Sequence, residues 1–353
     1  MDKCDEQGGG AHGDRWWCRR TGRPASRHGV PDVDRQQHLP RQTRAVAEVR
    51  GPAVSGPPAS GPVVVGVDGS PSSLDAVSAA AREARLRGCG LKVVHAFVWP
   101  AMHVPLGPSP LGPADGGMRD MVGRLVAQAV ERARSVAPEV EVGNAVVTGE
   151  ALSVLEAESH TAPLVVVGSR GLGGFGALLL GSTAVHLAAH ARCPVMVVRG
   201  RVDDTRPVLL GADGSPSGRG AVEFAFEEAV LRGTGVVAVH AWTPWSVAVT
   251  PPQDPSMPNA LEPDVLAAGE ERVLAETLAG RRDGHPDVAV EHSVVRGGAR
   301  EALIEASRDA GLIVVGARGR GGFAGLLLGS VSQALLHHAH CPVAVVRAAD
   351  VRR

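Results

Sequence analysis

Tyrosine is absent from this chain of 353 residues, and five Phe with five Trp bring the aromatic share to only 3%. So few rings exclude a stacking platform for successive unpaired bases. Lysine is nearly as scarce: Lys3 and Lys92 are the whole complement, and arginine supplies the remaining positive charge. Neither lysine falls in the two long glycine loops, at 168–182 and 316–330, and no G-x4-G-K-[ST] phrase occurs, which excludes a lysine-gripped phosphate loop. A net charge of −1 gives no basic footprint for nucleic acid or an anionic membrane. No apolar run approaches the roughly 20 residues that a membrane-spanning helix needs. The cysteines (Cys4, Cys18, Cys89, Cys193 and Cys341) contain no C-x-x-C pair. An odd count without framework spacing predicts reduced thiols in a cytoplasmic protein. Cys193 and Cys341 each precede a Pro at the start of an apolar run, where a thiol packs as a small hydrophobe.

What the chain does contain, it contains twice. Gly168-Ser169-Arg170-Gly171 is followed after nine residues by Gly181-Ser182, and Gly316-Ala317-Arg318-Gly319 after nine by Gly329-Ser330. The offset from Gly168 to Gly316 is 148 residues (316 − 168), and Cys193 and Cys341 keep the same step. Upstream, Val63–Val67 with Asp68-Gly69-Ser70-Pro71-Ser72 returns as Val208–Ala212 with Asp213-Gly214-Ser215-Pro216-Ser217. The repeat is far longer than a solenoid unit, so each copy is expected to be a whole domain. The expected division is a leader over residues 1–61, rich in Arg, Gly, Pro, Gln and His without apolar periodicity, then domains over 62–202 and 203–349. The leader is expected to be disordered and dispensable for ligand binding, and the abrupt onset of domain-like sequence leaves its place in the natural protein open.

Each half alternates short Val/Leu runs with helix-like segments. In the first the strands are expected at Val63–Val67, Leu91–Val98, Val140–Val147, Leu164–Val167 and Pro194–Val198. Helices are expected near Ser72–Arg87, Met118–Val136, Ala151–Ser159 and Thr183–Ala191. Continuous apolar runs suit strands buried on both faces, and intervening helices make such a sheet parallel. Two tandem α/β domains follow, each a doubly wound five-stranded parallel sheet. Ligands in such sheets bind beyond the carboxyl ends of the strands, where Asp68 and Gly168 both fall. A strand, a glycine loop and a helix N-terminus form an anion site from outward amides and the helix dipole. Ser182 and Ser330 are candidates to cap that helix, to meet phosphate, or both.

With these phrases in place, the chain resembles the universal stress protein family in its tandem, ATP-binding form. The resemblance rests on V-V-V-G-V-D-G-S at 63–70, the G-x2-G-x9-G-S loop at 168–182, C-P-V-M-V-V-R at 193–199, and their second copies at 208–215, 316–330 and 341–347. It implies an adenine nucleotide alpha hydrolase-like fold with strand order 3-2-1-4-5. It implies ATP as ligand, with Mg²⁺ as its candidate companion. Asp68 and Asp213, with Val67 and Ala212 before them, would lie by the nucleoside, and backbone near Ala96 and Ala241 would meet adenine. Val167, Gly168, Arg170, Gly171, Gly181, Ser182 and Thr183 would hold ribose and phosphates in the first half. Val315, Gly316, Arg318, Gly319, Gly329, Ser330 and Val331 would do so in the second. The final strands would pair the two domains within one chain, and a homodimer of chains is compatible with this. Members of the family act mostly as nucleotide-responsive stress regulators, with little or no turnover.

Other readings carry less. Gly171-x-Gly173-x-x-Gly176 matches a dinucleotide fingerprint formally, but it lies inside the long loop, and the next strand ends in Arg199 rather than an acid. His190, His337, His338 and His340 suggest a metal only until their helical positions are considered, since neighbours on a helix point apart. His95 and His240 are expected to be packed and hydrogen-bonded. No nucleophile–base pair recurs at shared positions, so a slow Mg²⁺-dependent ATP-hydrolysing enzyme and a nucleotide-free scaffold stand as the alternatives.

Overall fold

The computed structural model describes residues 61–98, 116–171, 180–244, 263–282, 284–320 and 328–348. The leader expected over 1–61 lies, apart from Gly61, outside the described residues. The first half runs β1 (Val63–Gly66), α1 (Pro71–Arg87), β2 (Leu91–Phe97), α2 (Gly116–Val136), β3 (Val142–Thr148), α3 (Ala151–Glu158), β4 (Val165–Gly168), α4 (Ser182–His190) and β5 (Val195–Val198). The second repeats it with β6 (Val208–Gly211), α5 (Arg219–Arg232), β7 (Val236–Trp242), α6 (Pro263–Arg282), β8 (Val290–Arg296), α7 (Ala299–Ala306), β9 (Leu312–Gly316), α8 (Ser330–His338) and β10 (Val343–Val346).

Local chemistry sets the helix ends. Ser70 Oγ accepts the Ser73 N–H at 3.1 Å, and Pro71, at the first helical position, has no N–H to leave unpaired. In the second half the Ser215 and Ser217 hydroxyls bond each other at 2.8 Å instead. There the segment Pro216–Gly218 makes a single 3-10 turn before α5 begins. α1 and α5 both stop at a left-handed glycine, Gly88 and Gly233.

Strands within each half are parallel, in the order β3-β2-β1-β4-β5 and β8-β7-β6-β9-β10. At the centre β5 and β10 run antiparallel, with Val343 opposite Val197 and Val345 opposite Val195, so the halves share one ten-stranded sheet. Alternation along the strands sorts the core into two layers. Val63, Val65, Leu164, Val166, Leu210 and Val314 face α1, α2, α5 and α6. Val64, Val165, Val167, Leu209 and Ile313 face α3, α4, α7 and α8. Cys341 is buried and Cys193 half-buried in the second layer, and desolvation pushes both thiols up to about 12. That fits packing, not redox chemistry.

Two sets of side chains cross the seam. Arg199 Nη1 donates to the carbonyls of Leu335 and Leu336 at 2.9 and 2.8 Å, and Arg347 Nη1 donates to those of His190 and Ala191 at 2.7 and 3.2 Å. Each arginine therefore caps the last turn of a helix in the other half. On the opposite face Glu83, Arg87, Glu228 and Arg232 close a ring: each arginine bonds its own helix's glutamate and that of the other half. Glu228 is fully buried, and Glu83 and Arg232 are nearly so.

Removing one member leaves a buried charge uncompensated, so Glu228→Ala should cost about 3–5 kcal/mol. Replacing all four with apolar side chains of similar volume should cost far less. Denaturant unfolding of both variants checks this, and equal losses would show that the ring's charges are not the source of the effect.

Candidate functional site

In each half the strand order reverses between the first and fourth strands, and the site residues gather at the carboxyl ends of those two strands. β1 ends beside Val67 and Asp68, and β4 ends at Gly168. Asp68 Oδ1 accepts the Ser70 N–H at 2.9 Å, and Asp213 Oδ1 accepts that of Ser215 at 2.9 Å. The other carboxylate oxygen reaches the glycine loop. A Cβ on Gly171 would lie 2.6 Å from Asp68 Oδ2, and one on Gly319 would lie 2.6 Å from Asp213 Oδ2. These glycines are required by close approach. In the second half the Arg320 N–H donates to Asp213 Oδ2 at 2.7 Å, which fastens the loop to the end of β6.

Serines missed by the sequence reading complete the join. Ser72 Oγ accepts the Arg170 N–H at 3.2 Å, and Ser70 Oγ donates to the Arg170 carbonyl at 3.3 Å. Ser217 Oγ donates to the Arg318 carbonyl at 3.5 Å. The duplicated Ser-Pro-Ser phrase was the available signal. Gly168 passes so close to α1 that a Cβ would lie 2.6 Å from both Ser72 O and Ser72 Oγ.

The far end of each loop is the helix start. Gly181 and Gly329, not the following serines, occupy the N-cap positions of α4 and α8, with φ −74° in both and no side-chain cap. The capping role expected of Ser182 and Ser330 is thereby corrected: both are the first residues of the helix proper. The Gly181 N–H donates to Ser169 O at 2.8 Å, and that of Gly329 to Ala317 O at 2.7 Å, folding the loop ends back on the strands. Helix geometry gives the amides of Ser182, Thr183 and Ala184, and of Ser330, Val331 and Ser332, no acceptor four residues back. These donors carry the positive end of the helix dipole. The middles of the loops, 172–179 and 321–327, lie outside the described residues.

The backbone groups of Val67 and Ala212 are already engaged by the neighbouring strands β2 and β7. Their N–H groups bond Val94 O and Val239 O, and their carbonyls accept from Nδ1 of His95 and His240 at 2.7 Å. Ala96 and Ala241 are half-buried near the ends of β2 and β7, beyond the last residues paired with β1 and β6. Arg199, at the strand end where a dinucleotide fold would carry an acid, and its counterpart Arg347 are committed to the helix caps across the seam. Among the described residues no three His, Cys, Asp or Glu side chains gather as metal ligands, and no helix is long and apolar enough to cross a membrane.

A family model described as the universal stress protein family matches residues 60–199 and again residues 205–347. The chain belongs to the universal stress protein family. A universal stress protein of Mycobacterium tuberculosis is 37% identical over 295 residues, covering 81% of this chain and 96% of its own length. One of Mycobacterium bovis is 39% identical over 309 residues, covering 81% and 94%. The solved structure of a universal stress protein from Archaeoglobus fulgidus aligns with a TM-score of 0.58 at 17% identity, over 81% of this chain and 98% of that one, which shows the shared fold. The two halves are universal stress protein domains in tandem.

The closeness of β4 to α1 is testable without any ligand. Gly168→Ala should destabilise by about 1–3 kcal/mol, since overpacking here would press on backbone. Gly181→Ala, whose Cβ would find its nearest neighbour at 3.7 Å, should cost about 1 kcal/mol or less. Thermal unfolding that ranked the two in reverse would contradict the described approach.

Proposed function

We propose that this universal stress protein is an ATP-binding regulator with one nucleotide site in each half and little or no catalytic turnover. The observation that carries the reading is the twofold convergence of a carboxylate, a close-packed glycine loop and an uncapped helix N-terminus at the switch in strand order. The donor set fits the ligand. A carboxylate only accepts hydrogen bonds, so Asp68 and Asp213 suit ribose hydroxyls and repel a bare phosphate. Amides at the starts of α4 and α8 suit phosphate oxygens, helped by the Ser182, Thr183 and Ser330 hydroxyls. The chain end of β2 or β7, at Ala96 or Ala241, is left to the base. Mg²⁺, when present, would neutralise part of the phosphate charge.

The first experiment is to denature freshly purified protein and identify the released nucleotide by chromatography. The second uses Gly181→Asp and Gly329→Asp. Both positions have extended backbone, at φ −74° and ψ 139° or 156°, which an aspartate N-cap adopts without strain. The new carboxylate would take the amides offered to phosphate and repel it. At ~4 Å and an effective dielectric of ~20 that repulsion is roughly 4 kcal/mol, and half of it is already more than tenfold in affinity. Calorimetry should show one binding event lost per substitution, with unfolding temperatures unchanged or slightly raised. Two-site binding surviving in the double variant would place the nucleotide elsewhere. Sustained Mg²⁺-dependent ADP production, lost in Asp68→Ala with Asp213→Ala, would make the protein an enzyme instead.

A further inference from the structure

The two sites differ beneath their loops. In the first half α2 presents Val122, 4% exposed, toward the core; the same register of α6 carries Glu270. Packing fixes that register: the side chain over Gly69 is Leu125 and one of those over Gly214 is Val273, the same step that separates Val122 from Glu270. Glu270 and His240 are buried, their side chains 7% and 4% exposed. His240 Nε2 lies 2.5 Å from Glu270 Oε2, and His240 Nδ1 lies 2.7 Å from the Ala212 carbonyl.

The partners dictate the proton count. A carbonyl only accepts, so Nδ1 carries a hydrogen. A hydrogen bond between Nε2 and a carboxyl oxygen then needs one more proton, on the ring or on the carboxyl. With that proton the pair is neutral; without it the pair carries one negative charge. Arg320 Nη1 lies 3.5 Å from the same Glu270 oxygen, and Arg320 is the residue whose N–H holds Asp213. The chain Ala212–His240–Glu270–Arg320–Asp213 therefore closes on itself around the start of the second glycine loop. His95 makes the matching bond to Val67, but Val122 puts no titratable group beside it.

Among the described residues the charges around the pair are few. Arg320 faces it from the loop after β9, with Asp213 behind it at the end of β6. Val294 of β8 is opposite His240, and Arg296 of that strand lies over the Trp242 ring, 5.9 Å from its centre. α5 meets α6 through Glu223 and Arg281, near the far end of α6. α7 packs on the other face of the sheet.

We propose that Glu270 is a positioning residue that makes nucleotide binding at the second site proton-linked through its pair with His240, a pair that Val122 replaces beside His95 in the first half. The inference rests on the nucleotide reading above. Loss of the shared proton adds negative charge beside the loop that must receive phosphate, so affinity at the second site falls as pH rises. By linkage, binding there draws a proton onto the pair. One proton limits the effect to about tenfold in affinity per pH unit.

The test isolates each site by silencing the other, with Gly181→Asp leaving the second site and Gly329→Asp the first. ATP is titrated by calorimetry over a series of pH values around neutrality, in two buffers of different ionisation heat, which counts protons taken up. Nucleotide protonation affects both sites alike and cancels in the comparison. The second site should take up an excess fraction of a proton and weaken more steeply with pH. Glu270→Gln keeps the shape, its amide N–H donating to the Nε2 lone pair, and should bring the second site to the first site's behaviour. Glu270→Val, the residue type already accommodated at position 122, should do the same. Equal proton uptake at the two sites, or an excess that persists in either variant, overturns the inference alone. No ATP binding at either site of the unmodified protein overturns the nucleotide reading and the inference with it.

Discussion

Where β5 meets β10, two strands buried along their whole length complete each other's hydrogen bonding, and the arrangement of everything else follows from that join. A parallel five-stranded sheet ending in such a strand would leave an apolar edge open to solvent. Pairing the two final strands antiparallel removes both edges at once and relates the halves by an approximate twofold axis. The axis then brings like elements together. α1 meets α5, so a glutamate and an arginine one turn apart on each helix find their counterparts across the seam. The same operation sets Arg199 at the end of α8 and Arg347 at the end of α4.

The site benefits from this rigidity at second hand. α4 and α8 each begin at a glycine loop and end under an arginine from the other half, so both ends of these nine-residue helices are fixed by groups outside them. Asp68 and Asp213 are held by the backbone of their own turns and lie against Gly171 and Gly319. Donors already in place need little ordering when a ligand arrives, and that lowers the cost of binding.

Much of this was legible in the sequence because duplication separates signal from accident. Strands and helices stood within a few residues of their expected ends, since short Val runs bounded by Gly and Pro admit few alternatives. The charged ring was not legible. Glu83 and Arg87, spaced one turn apart, have the pattern of a solvated helix face, and only the second copy of the helix buries them. The helix caps were misassigned because serine is the better capping residue in isolation, whereas here Gly181 and Gly329 take the cap position and the serines begin the helix. Glu270 carried no such signal, because the first half has Val122 in its place and duplication marks only what both halves share.

The join at β5 also has a history within the life of each molecule. Val195–Val198 leaves the ribosome before its partner Val343–Val346 has been made. At roughly 5–20 residues per second, the about 145 residues between them take ~7–30 s to synthesise. For that interval a folded first half carries an unpaired apolar edge, and the first half of a neighbouring nascent chain offers a nearly identical strand to pair with it. The correct partner wins by tether: residues 199–207, between β5 and β6, keep the second half at an effective concentration of about millimolar once it exists. Fusion of the two halves in one chain thus turns a search between molecules into a wait within one.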